Sequence, residues 1–233
     1  MMLFTCLLFL PGQIETTENP HFSRQLQVRA ITATVRITNL AGKSDGSGVI
    51  VGKQGSFVYI LTAYHVVKGA EELEIEVFTE KSHPKAEAVY RSARVIAKSS
   101  ALKDLALLRV VTEDPMPAIL PLSPVAQVPK GAGFATLGTG CSQGGPPTEI
   151  VHNVLGRKKV SHKGGGETAY FWECAGTISQ GRSGGPLIDK RGYVVGICSG
   201  TNGGKGYFSH AEEIHHFLKQ NVFEWLCEKS KEP

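Results

Sequence analysis

Gly-Arg-Ser-Gly-Gly-Pro, at residues 181–186, is the last of three short segments that decide the fold of this 233-residue chain. The other two read Leu-Thr-Ala-Tyr-His at residues 61–65 and Asp-Leu-Ala-Leu-Leu at residues 104–108. Each segment supplies one member of a His, Asp, Ser set. A serine hydroxyl is a poor nucleophile near neutral pH unless an imidazole takes its proton and a carboxylate orients that imidazole. Together the three segments therefore predict a nucleophilic site.

The order of these residues along the chain is His65, then Asp104, then Ser183. An α/β-hydrolase has its nucleophile before its acid and its histidine, so this order disfavours that class. With these three motifs the chain resembles the trypsin-like serine peptidases of the chymotrypsin fold, nearest to bacterial Deg/HtrA-type or stand-alone enzymes. The resemblance covers residues 30 to 210, and it implies the protease part alone, without a PDZ domain.

The resemblance implies both a fold and a mechanism. The expected fold is all-β, with two six-stranded antiparallel β-barrels, the active site between them, and a C-terminal α-helix. Ser183 would attack a peptide carbonyl carbon, His65 would accept the hydroxyl proton, and Asp104 would hold the tautomer of the histidine. The backbone N–H groups of Gly181 and Ser183 would form the oxyanion hole. The expected activity is that of a serine endopeptidase that works through an acyl-enzyme.

The resemblance also assigns substrate-binding residues. Thr177 would line the bottom of the primary pocket, and Ile178 follows it. Neither side chain is negatively charged, and a buried substrate cation without a partner would be costly, so we expect cleavage after small or medium apolar residues. The other candidates are Gln180, Cys198, Ser199, Gly200 and Gly206. The two glycines would leave the pocket walls open, and residues 198–200 would pair with the substrate backbone as an added strand.

Three departures from the family pattern bear on activity. Arg182 stands where animal trypsins carry an aspartate that captures a newly cut N-terminus, and Glu173 and Asp189 are its candidate partners here. Cys198 replaces the serine that in many relatives donates a hydrogen bond to the catalytic aspartate, and a thiol is a weaker donor. The loop at residues 141–147 could open or close the oxyanion hole. The alternative function is therefore that of a catalytically silent pseudoprotease that binds proteins or peptides.

Apolar periodicity divides the chain into five parts. Alternation at residues 31–38 predicts a half-buried strand, and further strand patterns follow, including one at residues 89–97. Five prolines at residues 112–130 argue against regular structure there. Ser209 and Glu212 form a capping-box pattern that predicts a helix. The predicted parts are residues 1–24 (signal and flexible lead-in), 25–111 (first barrel), 112–130 (connection), 131–208 (second barrel) and 209–228 (C-terminal helix).

Composition limits the classes of partner. The net charge is +4, with 25 basic and 21 acidic residues interspersed, which is too mild to indicate nucleic-acid binding. The sequence has no Cys-x-x-Cys motif, and neither a metal nor an organic cofactor is implied. No segment has the length and apolar character of a transmembrane helix. The expected partner is a peptide or protein substrate, and the sequence leaves the oligomeric state open.

Residues 3–10 form an apolar run of the length of a secretory h-region, although no basic residue precedes it. We interpret this run as a cleaved signal peptide, which predicts a secreted or periplasmic protein; an N-terminal strand is the alternative. Cys6 would leave with the signal. The remaining four cysteines allow three disulfide pairings, or they stay free as buried thiols. They are Cys141, Cys174, Cys198 and Cys227.

Overall fold

Two antiparallel β-sheets make up most of the structure, a computed structural model that describes residues 21–41, 44–161 and 166–228. The all-β fold with a C-terminal helix is confirmed. The apolar run interpreted as a signal peptide lies outside the described residues. Residues 112–130 join the two sheets and contain one short 3₁₀ turn, Val125–Gln127.

The first sheet contains seven strands, one more than predicted. They are β1 (Thr34–Asn39), β2 (Ser44–Gln54), β3 (Phe57–Thr62), β4 (Leu73–Val77), β5 (Ala88–Tyr90), β6 (Arg94–Lys98) and β7 (Ala106–Val111). Their order across the sheet is β5-β4-β1-β2-β3-β7-β6. The extra strand arises because the chain breaks the single strand predicted at residues 89–97. Its first part, β5, pairs with β4, and its second part, β6, pairs with β7 at the opposite edge, which one straight strand could not do.

The second sheet is a closed barrel of six strands, as predicted. They are β8 (Ala135–Cys141), β9 (Pro147–Ser161), β10 (Thr168–Ala175), β11 (Pro186–Ile188), β12 (Val194–Asn202) and β13 (Lys205–His210). Their order around the barrel is β10-β13-β12-β11-β8-β9. Because β11 has only three residues, its pairing with β12 ends at Ile197. The C-terminal half of β12 therefore extends beyond β11 on that side.

A helix, α1 (Arg24–Ala33), occupies much of the segment that was expected to begin the first sheet. The apolar alternation at residues 31–38 is misleading because it runs across a junction between this helix and β1. Packing against the second barrel favours the helix over a strand at residues 31–33. Ala30 and Ala33 are fully buried in a cluster that includes residues of the second barrel. At the junction, the Thr34 hydroxyl lies 2.6 Å from that of Thr139 in β8.

One apolar cluster fills the seam between the two sheets. It includes Leu61 and Leu107 from the first sheet and Leu137, Ile188 and Ile197 from the second, all fully buried. Protein interiors are packed as densely as organic crystals, so such a cluster resists relative sliding of the sheets. Loops that end at this seam therefore keep a defined position relative to one another.

The C-terminal segment forms two helices, not the single helix predicted. The first, α2 (Ala211–Gln220), buries Ile214 and Phe217 against the body of the protein. A turn follows in which Val222 has a φ of 65°, and the second helix is α3 (Trp225–Glu228). None of the described helices combines the length and the apolar character needed to cross a membrane.

The N-cap of α2 is His210, not Ser209 of the predicted capping box. The Nδ1 atom of His210 accepts a hydrogen bond from the Glu212 N–H at 3.1 Å. Ser209 belongs to β13, and its hydroxyl donates to the Lys103 carbonyl at 2.8 Å. The capping-box pattern placed the start of the helix one residue too early, because the chain stays in the barrel for one residue longer than the pattern predicts.

Candidate active site

His65 and Asp104 meet because two neighbouring strands end at the same side of the first sheet. Thr62, the last residue of β3, pairs with Ala106, the first residue of β7. His65 lies three residues after the end of β3, on a 3₁₀ turn, and Asp104 lies two residues before β7. The His65 Nδ1 atom is 2.8 Å from Asp104 Oδ2, and the His65 backbone N–H donates to Asp104 Oδ1 at 3.0 Å. Both carboxylate oxygens therefore fix the histidine.

The backbone of Asp104 adopts a conformation that few residues tolerate. Its φ is 55°, in the left-handed region, where aspartate and asparagine are enriched among non-glycine residues. Its N–H donates to the Ser100 carbonyl at 3.0 Å, and the residue is 6% exposed. The turn thus directs the carboxylate inward to His65, whose own side chain is 45% exposed and open to a substrate.

A third hydrogen bond to the Asp104 carboxylate comes from a residue that the sequence interpretation assigned otherwise. The Ser199 hydroxyl donates to Asp104 Oδ2 at 2.5 Å, so Cys198 does not replace this donor. The pairing of β12 with β13 is irregular between Cys198 and Gly200, and Ser199 is the extra residue there. A bulge of this kind redirects a side chain. The prediction that position 198 holds the residue facing Asp104 was wrong by one residue, because a bulge leaves no periodic signal in the sequence.

Ser183 lies on a loop at the seam between the sheets, and the next residue in this loop packs against the segment that leads into His65. Its carbonyl accepts a hydrogen bond from the Ser47 N–H in β2 at 2.7 Å. A Cβ atom on the next residue, Gly184, would clash with the Ser47 carbonyl and the Thr62 hydroxyl and would lie 3.0 Å from the Ala63 nitrogen. Only glycine fits there, and its close approach brings the Ser183 loop against the residues that lead into His65.

Gly181 is confined in a similar way on the other side of Ser183. Its φ is 88°, and an added Cβ would clash with the Cys141 carbonyl and lie 2.9 Å from the Gln143 nitrogen. The Gln143 N–H donates to the Gln180 carbonyl at 2.9 Å. In a trans peptide unit the C=O and the next N–H point in opposite directions. The Gly181 N–H therefore points away from Gln143.

The Ser183 N–H is oriented by the same reasoning. The preceding carbonyl, that of Arg182, accepts from the Gly185 N–H at 3.0 Å, so the Ser183 N–H points away from Gly185. Within the part of the chain that the structure describes, neither this N–H nor that of Gly181 has a hydrogen-bond acceptor. Two unused donors beside a serine hydroxyl are the parts that an oxyanion hole requires.

Ser47 is a residue of the site that sequence reasoning missed. Its hydroxyl accepts from the Cys141 N–H at 2.8 Å and donates to the Gly181 carbonyl at 2.7 Å. It is fully buried, and it lies inside β2 between Gly46 and Gly48. A serine between two glycines was the available signal, but only the fold reveals which loop it contacts.

The residues expected to form the primary pocket differ from the prediction. Thr177 is exposed, not buried at the bottom of a pocket, and Gln180 is exposed as well. Ile178 Cδ1 lies 2.8 Å from where a Cβ on Gly206 would be, so this wall is covered by Ile178 and is not open. At Gly200 nothing lies within 4 Å of an added Cβ.

Cys198, the first residue of the strand that was expected to pair with substrate, has no free backbone group to offer. The Cys198 N–H donates to the Gly185 carbonyl at 2.8 Å, and the Cys198 carbonyl accepts from the Gly184 N–H at 2.7 Å. Its backbone is therefore already paired, and its side chain is buried. From Ser199 onward, β12 pairs with β13 on one side and extends past β11 on the other. Beside this segment is a cavity of about 420 Å³, lined in part by Leu102, Val160 and Phe171.

Arg182 does not pair with either of its predicted partners. Its guanidinium donates to the Thr148 hydroxyl at 2.7 Å, to the Thr148 carbonyl at 2.8 Å and to the Gly138 carbonyl at 3.2 Å. Asp189 instead binds Arg191 at 2.6 Å, and Glu173 binds Lys158 at 2.9 Å and Lys205 at 2.5 Å. Burial lowers the pKa of Arg182 from its usual value, but an arginine stays charged at neutral pH.

The four described cysteines are free thiols, which decides between the alternatives that the sequence left open. Cys141, Cys174 and Cys198 are buried and Cys227 is half-buried. Burial raises the pKa of each of the four thiols to about 12, so they are poor nucleophiles at neutral pH. Among the described residues, no group of three or more His, Cys, Asp or Glu side chains could hold a metal ion.

Comparison with known proteins points to one family. The sequence model of the family described as "Trypsin-like peptidase domain" matches residues 46–197. The chain is 31% identical over 214 residues to the magnetosome formation protease MamE of Paramagnetospirillum magneticum, covering 89% of this chain and 26% of that protein. It is also 31% identical over 157 residues to a probable periplasmic serine endoprotease DegP-like of Hahella chejuensis, covering 67% of this chain and 30% of that protein. The chain thus spans less than a third of either relative.

Solved structures agree on the fold. The Rv3671c protease from M. tuberculosis, crystallised in a form described as active, superposes with a TM-score of 0.70 at 20% sequence identity. The superposition covers 94% of this chain and 93% of that one. At this level of identity the likeness concerns the fold alone.

Proposed function

Because the chain belongs to the trypsin-like peptidase domain family, we propose that it is a serine endopeptidase with His65, Asp104 and Ser183 as its catalytic residues. The observation that carries the proposal is the double hydrogen bond from His65 to Asp104, at 2.8 and 3.0 Å, beside the loop of Ser183. An imidazole held at Nδ1 by a carboxylate keeps its other nitrogen, Nε2, as the free base that a serine hydroxyl needs.

The proposed reaction has two halves that share these residues. In the first, Ser183 Oγ bonds to the substrate carbonyl carbon while its proton moves to His65 Nε2. The C–N bond then breaks as the same proton passes to the leaving amine, which yields the acyl-enzyme. In the second half, a water molecule gives its proton to His65 and attacks the acyl carbon, and Ser183 regains its proton as the ester bond breaks. Asp104 stabilises the imidazolium that forms in each half.

The negative oxygen of each tetrahedral intermediate would be bound by the N–H groups of Gly181 and Ser183. Both N–H groups are oriented by the carbonyl preceding them in the same peptide unit, as described above. A donor that is already oriented costs no reorganisation at the moment of reaction, and each such donor typically contributes about 3 kcal/mol. This preorganisation supports catalysis over the alternative of a silent binding module.

We propose that the substrate binds as an extended strand along residues 199–202. This part of β12 extends beyond β11, so its backbone can pair with a peptide. Ile178 narrows the space at Gly206, and neither Ile178 nor Thr177 carries a negative charge. Both facts favour a small or medium apolar residue before the scissile bond. The 420 Å³ cavity beside Gly200 and Thr201 would accept a further apolar side chain of the substrate.

We also propose that the protein acts outside the cytoplasm, after removal of a signal peptide that contains the apolar run at residues 3–10. The support is the apolar run at residues 3–10 together with the likeness to a relative named as probably periplasmic. Mass spectrometry of the protein recovered from a bacterial host would give its mature N-terminus. Recovery of the intact chain from the cytoplasmic fraction alone would contradict export.

A fluorophosphonate probe tests the catalytic assignment directly. We expect the folded protein to form one covalent adduct, located at Ser183 by peptide mass spectrometry, and Ser183→Ala to form none. A folded protein that forms no adduct would favour the pseudoprotease alternative. A peptide library would then test specificity, and a strong preference for Lys or Arg before the cleaved bond would contradict the apolar assignment.

A further inference from the structure

The side chain of Arg182 joins the loop that carries Ser183 to the hairpin formed by β8 and β9. Arg182 is 3% exposed, and its guanidinium makes three hydrogen bonds to neutral oxygens of this hairpin. Gly138 supplies an acceptor from β8, and Thr148 supplies two from β9. A buried cation is costly unless its donors are satisfied, so these acceptors specify where the arginine must lie.

The hairpin also approaches the backbone of Arg182 closely. A Cβ atom on Gly140, which pairs with Thr148, would lie 3.0 Å from Arg182 Cα and 3.1 Å from its Cβ. Any other residue at position 140 would push the loop outward. The main chain and the side chain of Arg182 are therefore both seated on the same two strands.

The end of the same hairpin fixes the other side of Gly181. The Gln143 N–H donates to the Gln180 carbonyl at 2.9 Å. Gly181 thus lies between two attachments to one hairpin: the carbonyl of the residue before it and the side chain of the residue after it. The peptide units that contain the Gly181 and Ser183 N–H groups are set by these attachments.

We propose that Arg182 is a positioning residue that keeps the Gly181 and Ser183 N–H groups converged in the resting protein. The inference rests on the proposed peptidase function. Its consequence is that the oxyanion hole is assembled without a newly formed N-terminus, because the hairpin supplies the acceptors for residue 182 from within the fold. Arginine suits this role because its planar fork can bind oxygens on two strands at once, whereas a lysine ammonium is a single point of charge.

Substitutions at both ends of this contact test the proposal. Arg182→Met removes all three hydrogen bonds, Arg182→Lys keeps the charge without the fork, and Thr148→Val removes one acceptor at an exposed position. The matched control is Thr136→Val, which removes a buried hydroxyl that donates to the His152 carbonyl at 3.1 Å, on the same hairpin but without a hydrogen bond to Arg182.

With a fluorogenic peptide that has alanine before the scissile bond, we expect kcat of Arg182→Met to fall about 100-fold, the scale of one lost oxyanion donor. Its KM should stay within about threefold, because the contact acts on the transition state. The kcat values of Arg182→Lys and Thr148→Val should lie between those of Arg182→Met and the wild type. Thr136→Val should keep the wild-type kcat. A fall in kcat for Thr136→Val equal to that of Thr148→Val would overturn the proposal.

A second readout does not depend on catalysis. In ¹⁵N-labelled protein, the amide resonances of Gly181 and Ser183 should shift or broaden in Thr148→Val and stay unchanged in Thr136→Val. Unchanged resonances in both variants would overturn the inference even if the protein cleaves peptides. If the wild-type protein forms no adduct with the fluorophosphonate while these resonances do respond to Thr148→Val, the proposed function fails and the positioning role of Arg182 stands.

Discussion

The two halves of the candidate site are held in different ways. His65 and Asp104 lie at the ends of adjacent strands of one sheet, and they hold each other through two hydrogen bonds. The loop of Ser183 is closed by one backbone hydrogen bond of its own, from the Gly185 N–H to the Arg182 carbonyl, but its position depends on contacts from outside the loop. It is fixed by backbone and side-chain contacts from Ser47 in the first sheet and from the β8–β9 hairpin and β12 in the second. The first half is a local construction, whereas the second depends on how the two sheets dock.

This difference has a consequence for mutation. Changes in the first half should remove chemistry and leave the architecture intact, because strand pairing does not depend on the two polar side chains. Changes in the second half should disturb the arrangement of backbone donors, because several weak contacts share that task. The following predictions test this contrast, from the largest expected effect to the smallest.

Asp104→Asn should lower kcat by about 10⁴-fold, because an amide can hold His65 in the wrong tautomer. The melting temperature should change little, since the substitution keeps the size of a side chain that is 6% exposed. Steady-state kinetics and a thermal melt provide the measurement. A loss of less than about tenfold in kcat would separate Asp104 from the catalytic residues.

Gly181→Ala should lower kcat by about 10²–10³-fold, the effect of losing an oxyanion donor. The new methyl group would clash with the Cys141 carbonyl and force the Gln180–Gly181 peptide unit to move. Gly176→Ala is the matched control: its φ is 81°, as unusual as that of Gly181, but nothing lies within 4 Å of its added Cβ. Equal kinetic losses in the two variants would mean that backbone strain, not the clash, disables the loop.

Acid should destabilise the second barrel before the first sheet. Burial lowers the pKa of His152 from 6.5 to about 4, with a contribution from Arg182, and burial likewise lowers the pKa of His210 to about 4, with a contribution from Arg157. Unfolded histidines take up protons below pH 6.5, whereas these two remain neutral in the folded state until about pH 4. The stability they contribute is therefore complete above pH 6.5 and is lost as the pH falls through this window.

Urea unfolding at several pH values would measure this loss, which should reach about 2 kcal/mol per histidine near pH 5. Hydrogen exchange measured on individual peptides should locate this loss of stability, with the protection of backbone amides falling first in β8, β9 and β13. Earlier loss of protection in β1 to β3 would contradict the assignment of the acid sensitivity to these two histidines.

Ser199→Ala should lower kcat about tenfold, the usual value of one hydrogen bond to a charged group. The hydroxyl donates to Asp104 Oδ2 at 2.5 Å, so its loss leaves the Asp104 carboxylate in place but less firmly oriented. Ser199→Thr, which retains a hydroxyl, should recover part of the rate. If Cys198→Ala reduced kcat more than Ser199→Ala did, the donor assigned by the fold would be wrong.

The outcomes for individual elements explain what could be predicted. The strands that lead into His65 and away from Asp104 follow from apolar patterns, which are local signals, whereas the closed second barrel was expected from the resemblance of the three motifs to the trypsin-like peptidases. The first strand was misplaced at residues 31–38 because Ala30 and Ala33 pack on a barrel that lies a hundred residues further along the chain. The pattern at residues 89–97 predicts one strand because no residue type marks the point at which the chain changes its pairing partner.

By itself the sequence determined the three motifs, their order along the chain and many of the strands, and the resemblance of the motifs to the trypsin-like peptidases implied two β-sheets. Short-range patterns suffice for the motifs and strands because strand alternation and glycine requirements are set by neighbouring residues. Only the tertiary structure decided that Ser199 and not Cys198 contacts Asp104, that Arg182 binds a hairpin and not a carboxylate, and that Ser47 supports Gly181. Those contacts join segments far apart in the chain, and their register depends on bulges and packing that no local pattern encodes.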